Sequence, residues 1–69
     1  MATERTGNVV AFDDRRGWGQ IRGDDGAVVD FHCTQLADGT RTIRAGTAVR
    51  YEIGPGALGS WEAVRIRTA

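Results

Sequence analysis

Glycine and other turn signals recur so densely along these 69 residues that no stretch is long or periodic enough for a proper helix. What remains between the breaks is short and alternating. Residues 5–12 carry Val9, Val10 and Phe12 and read as a strand, followed by the polar turn "DDRRG" (13–17). "WGQIR" (18–22) alternates again, "GDDG" (23–26) is a hairpin turn signal, and "AVVDFH" (27–32) is the next strand. "CTQLADGTRTIRAG" (33–46) is a long mixed connection in which Leu36 and its neighbours make at most one helical turn. "TAVRYEI" (47–53) alternates cleanly. "GPGALGS" (54–60) reads as a loop, because Pro55 has no N–H to give a ladder. "WEAVRIR" (61–67) places Trp61 and Ala63 on one parity and Val64 and Ile66 on the other.

Five short strands in one small domain (1–69, with its core at about 6–67) cannot bury two separate sheets. The expectation is an all-β fold in which one antiparallel sheet curls into a five-stranded barrel. An SH3-like barrel fits the strand count nearly as well. Such a chain stands near the lower size limit for a core without staples. Cys33 is the only cysteine, so no disulfide forms within the chain, and no Cys/His cluster has metal spacing. A free thiol suits a reducing cytoplasm. The opening Met-Ala-Thr-Glu-Arg-Thr-Gly lacks the apolar segment of a signal peptide, and the run Val9–Phe12 is far too short to cross a bilayer. These features predict a cytoplasmic protein with no membrane partner, no cofactor and no metal, present as a monomer or weak homodimer.

Nine basic residues balance nine acidic ones, which gives no net attraction to a polyanion. All nine cations are arginine. Arginine both forks onto phosphate and stacks on bases, although a GC-rich codon pool produces the same bias. Distribution therefore matters more than the sum. If Ile21, Val29 and Phe31 face the core, then Trp18, Gln20, Asp30 and His32 face outward, since side chains alternate along a strand. An indole beside an imidazole, entered from Arg15 and Arg16, is a platform on which bases stack. Gly17 and Gly19 would let a ligand approach the ring closely. Equally, Trp18 could be half-buried barrel packing, with the glycines marking a bend or bulge.

"RGWGQI" follows a degenerate RNP1 pattern, basic–Gly–aromatic–Gly–x–apolar. Beyond it, the chain resembles the bacterial cold shock proteins over roughly residues 6–67. Their Gly-Thr-Val-Lys-Trp-Phe-Asn is similar to Gly7–Asp13, and their Lys-Gly-Phe-Gly-Phe-Ile to Arg16–Ile21. Their Asp-Asp-Gly and Val-Phe-Val-His-Phe recur as Asp24–Gly26 and Val29–Cys33. The stretch "DGTRTI…GTAVRYEI" resembles their long loop and fourth strand. The resemblance implies a five-stranded OB-type barrel that stacks single-stranded RNA or DNA on aromatic rings of strands one to three.

The resemblance carries that role to Phe12, Trp18 and His32, with Arg16 and Arg41 as the basic positions. Gln20 adds a polar contact to a base edge. Trp61 either supplies a replacement ring or caps the barrel rim. The chain departs from the family at Val10 (lysine), Ala11 (tryptophan), Gln20, Asp30 and Cys33 (rings) and Thr40 (the loop aromatic). Four or five lost rings at ~1–3 kcal/mol each predict weak binding with little sequence preference. Cys33 reads as a small packing residue. Asp13-Asp14 and Asp24-Asp25 sit at turns where aspartate bonds its own backbone, and pairing of Asp13 or Asp14 with Arg15 or Arg16 would weaken the basic entry. No nucleophile–base constellation is present, so an enzyme is not expected. Two functions follow: a single-strand binder acting as an RNA chaperone or as a modulator of transcription or translation, and a cold-shock barrel repurposed to bind a protein.

Overall fold

A computed structural model describes residues 4–56 and 60–69. Five strands run β1 Arg5–Asp13, β2 Trp18–Gly23, β3 Val28–His32, β4 Ala48–Pro55 and β5 Trp61–Thr68, with a short 3₁₀ turn at Cys33–Gln35. They form one antiparallel sheet in the order β3-β2-β1-β4-β5. The sheet curls until β3 packs on β5. Leu36 bridges Ile66 there, and the Ala37 N–H donates to the Ile66 carbonyl at 2.8 Å. This all-β barrel is the expected fold.

Alternation explains most of the interior. Ile21 and Phe31 are fully buried, and Val29 packs against them from the margin. Val9, Val49, Tyr51, Ala63 and Ile66 complete the centre, with Cys33 and Leu36 closing one side. Cys33 is therefore a packing residue, as its position predicted.

Three local expectations fail, two of them where strict alternation breaks. In β1, Val9 pairs with Ile21 while Ala11 pairs with Gln20, so Val10 is an extra, bulged residue. The bulge lets Val9 and Phe12, three residues apart, both turn toward the core. In β5, Ala63 and Ile66 are both buried although they lie on opposite parities. Opposite Arg50–Glu52, β5 spans Val64–Arg67 and holds one residue more, with Arg65 at φ 52°. That left-handed backbone costs roughly 1–2 kcal/mol at a residue other than glycine. The Arg65 N–H donates to Gln35 Oε1 (3.4 Å) and its guanidinium to Glu52 (3.3 Å), which helps hold it.

The third correction concerns Pro55. It belongs to β4 and pairs with Trp61, instead of starting the loop. The reason lies in the neighbours: β1 pairs β4 only across Ala48–Tyr51, so at Pro55 the sheet has a partner on one side alone. A missing N–H is tolerated at such a position.

Burial raises the Tyr51 phenol above its ordinary value of 10.0, and the Asp25 carboxylate adds to the effect. The unfolded chain thus releases this proton at lower pH than the folded one, and stability falls with pH once the unfolded phenol ionises. The contribution is whole below pH 10.0 and is lost as pH rises through the folded value. No lysine titrates in this range, because the basic residues are all arginine. Urea midpoints measured at about pH 9 and about pH 11 should fall with pH. Tyr51→Phe should flatten that decline; an unchanged slope in the variant would rule out the phenol as its source.

Candidate nucleic-acid interface

The hairpin of β2 and β3 fixes the central geometry. Trp18 pairs with His32, Gln20 with Asp30 and Arg22 with Val28, so all six side chains share the outward face. The indole and imidazole meet edge to face, centroids 4.9 Å apart at 68°. Both are half-buried. The Thr34 N–H donates to His32 Nδ1 at 3.3 Å, and the Thr34 hydroxyl lies 2.9 Å from the same nitrogen. An amide can only donate, so Nδ1 accepts and the ring proton sits on Nε2. That leaves Nε2–H as a donor on the side of Gly17.

Gly17 and Gly19 serve the fold and not ligand approach. Gly17 has φ 73°, and a Cβ there would come within 2.8 Å of Cys33 Sγ. A Cβ on Gly19 would lie 2.6 Å from the Phe31 ring, which fills the interior beneath it. The Gly17 turn is locked by its N–H bond to the Asp13 carbonyl (2.8 Å) and by the Cys33 N–H bond to its own carbonyl (2.7 Å). The turn thereby sets the Trp18–His32 register.

Asp13 Oδ1 accepts the backbone N–H groups of Arg15 (2.9 Å) and Arg16 (3.3 Å). The expected ion pairs of Asp13 or Asp14 with these arginines do not occur among the described residues, where the salt bridges are Arg5–Asp25, Arg65–Glu52 and Arg67–Glu4. Arg16 and Arg41 instead line one cleft beside Gly17 and His32. Cations thus stand next to the imidazole from two separate loops.

A second, larger groove of about 530 Å³ lies alongside, lined by Ala11, Phe12, Asp13, Arg16, Trp18, Gly19, Gln20, Asp30, Ser60 and Glu62. Phe12 is half-buried and stacks on Phe31 with centroids 5.8 Å apart at 14°. The Gln20 amide donates to Asp30 Oδ1 at 3.2 Å. The structure therefore gathers Phe12, Arg16, Trp18, Gln20, His32 and Arg41 around two adjoining depressions. Trp61 lines neither depression; it is 73 % exposed at the start of β5. Thr40, at the loop position without its ring, instead bonds Asp38. Its hydroxyl and N–H hold that carboxyl below the usual carboxylate range.

Sequence reading missed Ser60 and Glu62, which form the far wall. Glu62 is only 3 % exposed. It pairs regularly with Gly54, ahead of the β5 irregularity, and a carboxylate between Trp61 and Ala63 carries no local sign of burial. Among the described residues no group of three or more His, Cys, Asp or Glu side chains is placed to hold a metal ion, and no helix is long and apolar enough to cross a membrane.

Strand order, closure and the outward β1–β3 face define an OB-type barrel. The 'Cold-shock' DNA-binding domain family matches residues 5–68. The chain is 36% identical over 61 residues to the cold shock-like protein CspD of Vibrio cholerae, covering 86% of this chain and 80% of that protein. Its fold superposes on the Drosophila Unr CSD456 structure with TM-score 0.79 at 22% identity, covering 97% of this chain and 27% of that one. The chain belongs to the cold-shock domain family. It is a nucleic-acid-binding, cold-shock-like protein.

Proposed function

We propose that the chain binds single-stranded RNA or DNA on the β1–β3 face, as an RNA chaperone or as a modulator of transcription or translation. Trp18, His32 and Phe12 stack on bases, and Arg16 and Arg41 meet the phosphates. The observation that carries this reading is the outward Trp18–His32 pair with both arginines in the adjoining cleft. Binding is weak, because Ala11, Gln20, Asp30, Cys33 and Thr40 offer no ring.

Anisotropy of a labelled pyrimidine-rich strand, titrated at two salt concentrations, tests the assignment. Log K should fall linearly with log salt, and each cation–phosphate contact removed should reduce the slope by about 0.7. Replacing Arg16 and Arg41 together by glutamine should therefore flatten the slope by about 1.4. An unchanged slope would remove both arginines from the phosphate path.

The exposed Trp61 favours a second reading, in which the barrel engages a protein and has little affinity for nucleic acid. No binding of any strand by the folded protein would support that alternative.

A further inference from the structure

We infer that Gln20 and Asp30 form a base-reading pair that selects guanine at one nucleotide position of the bound strand. The inference rests on the single-strand reading above and adds a specificity to it. Ala11, Gln20 and Asp30 lie side by side across β1, β2 and β3, and Trp18 with His32 forms the next outward row. Adjacent outward residues on a strand are about 7 Å apart. That spacing leaves room for one base against the indole, its edge over Gln20 and Asp30. The methyl of Ala11 keeps the floor of this slot low.

The polar groups decide which base fits. Asp30 Oδ1 already accepts the Gln20 amide, which orients the carboxylate. Among the described residues Asp30 Oδ2 and the Gln20 carbonyl make no further protein hydrogen bond. Each carboxylate oxygen has two acceptor sites, so Oδ1 retains one as well. The vacant positions are thus all acceptors, and those on Asp30 carry its negative charge. Around them the groove carries the carboxylates of Asp13 and Glu62 against the single guanidinium of Arg16. This surface repels phosphate and carbonyl oxygen and attracts N–H.

Guanine alone presents two neighbouring donors, N1–H and N2–H, parallel and spaced for the two oxygens of one carboxylate. Cytosine and adenine present one amino group beside an acceptor nitrogen. Thymine and uracil flank their single N–H with two carbonyl oxygens, which would face the carboxylate directly. Bonds from such donors to a carboxylate are charge-assisted and hold the base in one orientation. The phosphates then follow the Arg16–Arg41 cleft on the other side of Trp18.

Two strands distinguish the possibilities: oligothymidine, and the same strand with isolated guanines replacing some thymines, spaced to prevent guanine-rich assemblies. The wild-type chain should bind the guanine-bearing strand about tenfold more tightly. Asp30→Asn keeps the shape but removes one acceptor and the charge. It should bring the ratio close to one, while binding to oligothymidine holds or improves. A mere loss of repulsion would strengthen both strands equally and leave the ratio intact, so the ratio is the readout. Asp30 is exposed, and a circular dichroism spectrum checks that the variant stays folded. Equal wild-type affinities, or a full ratio in Asp30→Asn, would overturn the guanine assignment alone. If neither strand binds, the single-strand reading falls with it.

Discussion

Phe31→Ala is expected to remove a large share of the fold's stability. Phe31 is the largest fully buried side chain, and its ring lies directly under Gly19 and against Phe12. Removing such a ring costs about 3–5 kcal/mol, the upper end where neighbours cannot collapse into the space. Gly19 has no side chain to move inward, and Phe12 is held in a bulged strand, so the cavity stays open. A domain of this length has a total stability of roughly 3–10 kcal/mol, and the loss consumes a large share of it. Thermal unfolding followed by circular dichroism should show a midpoint lower by more than about 12 °C. Phe31→Leu should recover most of the loss, because a branched aliphatic refills much of the volume. A drop of only a few degrees in the alanine variant would mean that the ring is not the centre of this core.

That same ring links fold to function. Phe12 reaches the groove with its back on Phe31, so the aromatic edge of the proposed platform rests on a fully buried residue. Gly19 belongs to this arrangement. In the sequence it looks like an invitation to a ligand, yet its lack of a side chain makes space on the opposite face, for Phe31. Local sequence shows that a side chain is missing at position 19, and the hairpin turn pairs its strand with β3; that the Phe31 ring lies across Gly19 depends on how the rest of the core packs, which no local pattern reports.

Legibility of the remainder follows the same division. Ile21, Phe31 and the outward Trp18, Gln20, Asp30 and His32 were readable because β2 and β3 alternate without interruption and are joined by a tight turn. Val10, Arg65 and Pro55 were not, since each depends on a partner strand. A bulge shifts parity by one residue, and every inference beyond it inverts. Glu62, ahead of the β5 bulge, escapes notice for another reason: its burial depends on the side-chain-free Gly54 and Gly56 across the strand pair, and with it goes the acidic far wall of the groove. The arginines tell a related story. Their number balances the acids, but Arg16 and Arg41 converge on His32 from loops 25 residues apart in sequence. Net charge could not reveal that meeting; the resemblance to cold shock proteins could.

Trp18→Ala should reduce single-strand affinity by roughly 10- to 100-fold, whereas Trp61→Ala should change it less than about threefold. Stacking one base on an aromatic side chain is worth ~1–3 kcal/mol, and 1.4 kcal/mol is tenfold in affinity. Trp18 is placed to supply this, half-buried and braced by the His32 edge, so little side-chain freedom is lost when a base arrives. Trp61 is larger in exposed area, but it contributes no wall to either depression. Exposure alone would rank the two residues the other way round, which makes the comparison decisive. Anisotropy of a labelled strand is the suitable signal, because intrinsic fluorescence changes with each tryptophan removed. If Trp61→Ala abolished binding and Trp18→Ala did not, the strand would lie across β5 and the β1–β3 face would lose its role. If both variants bound as the wild type does, neither indole would be a base platform, and the more exposed of the two would stand as an anchor for a protein partner.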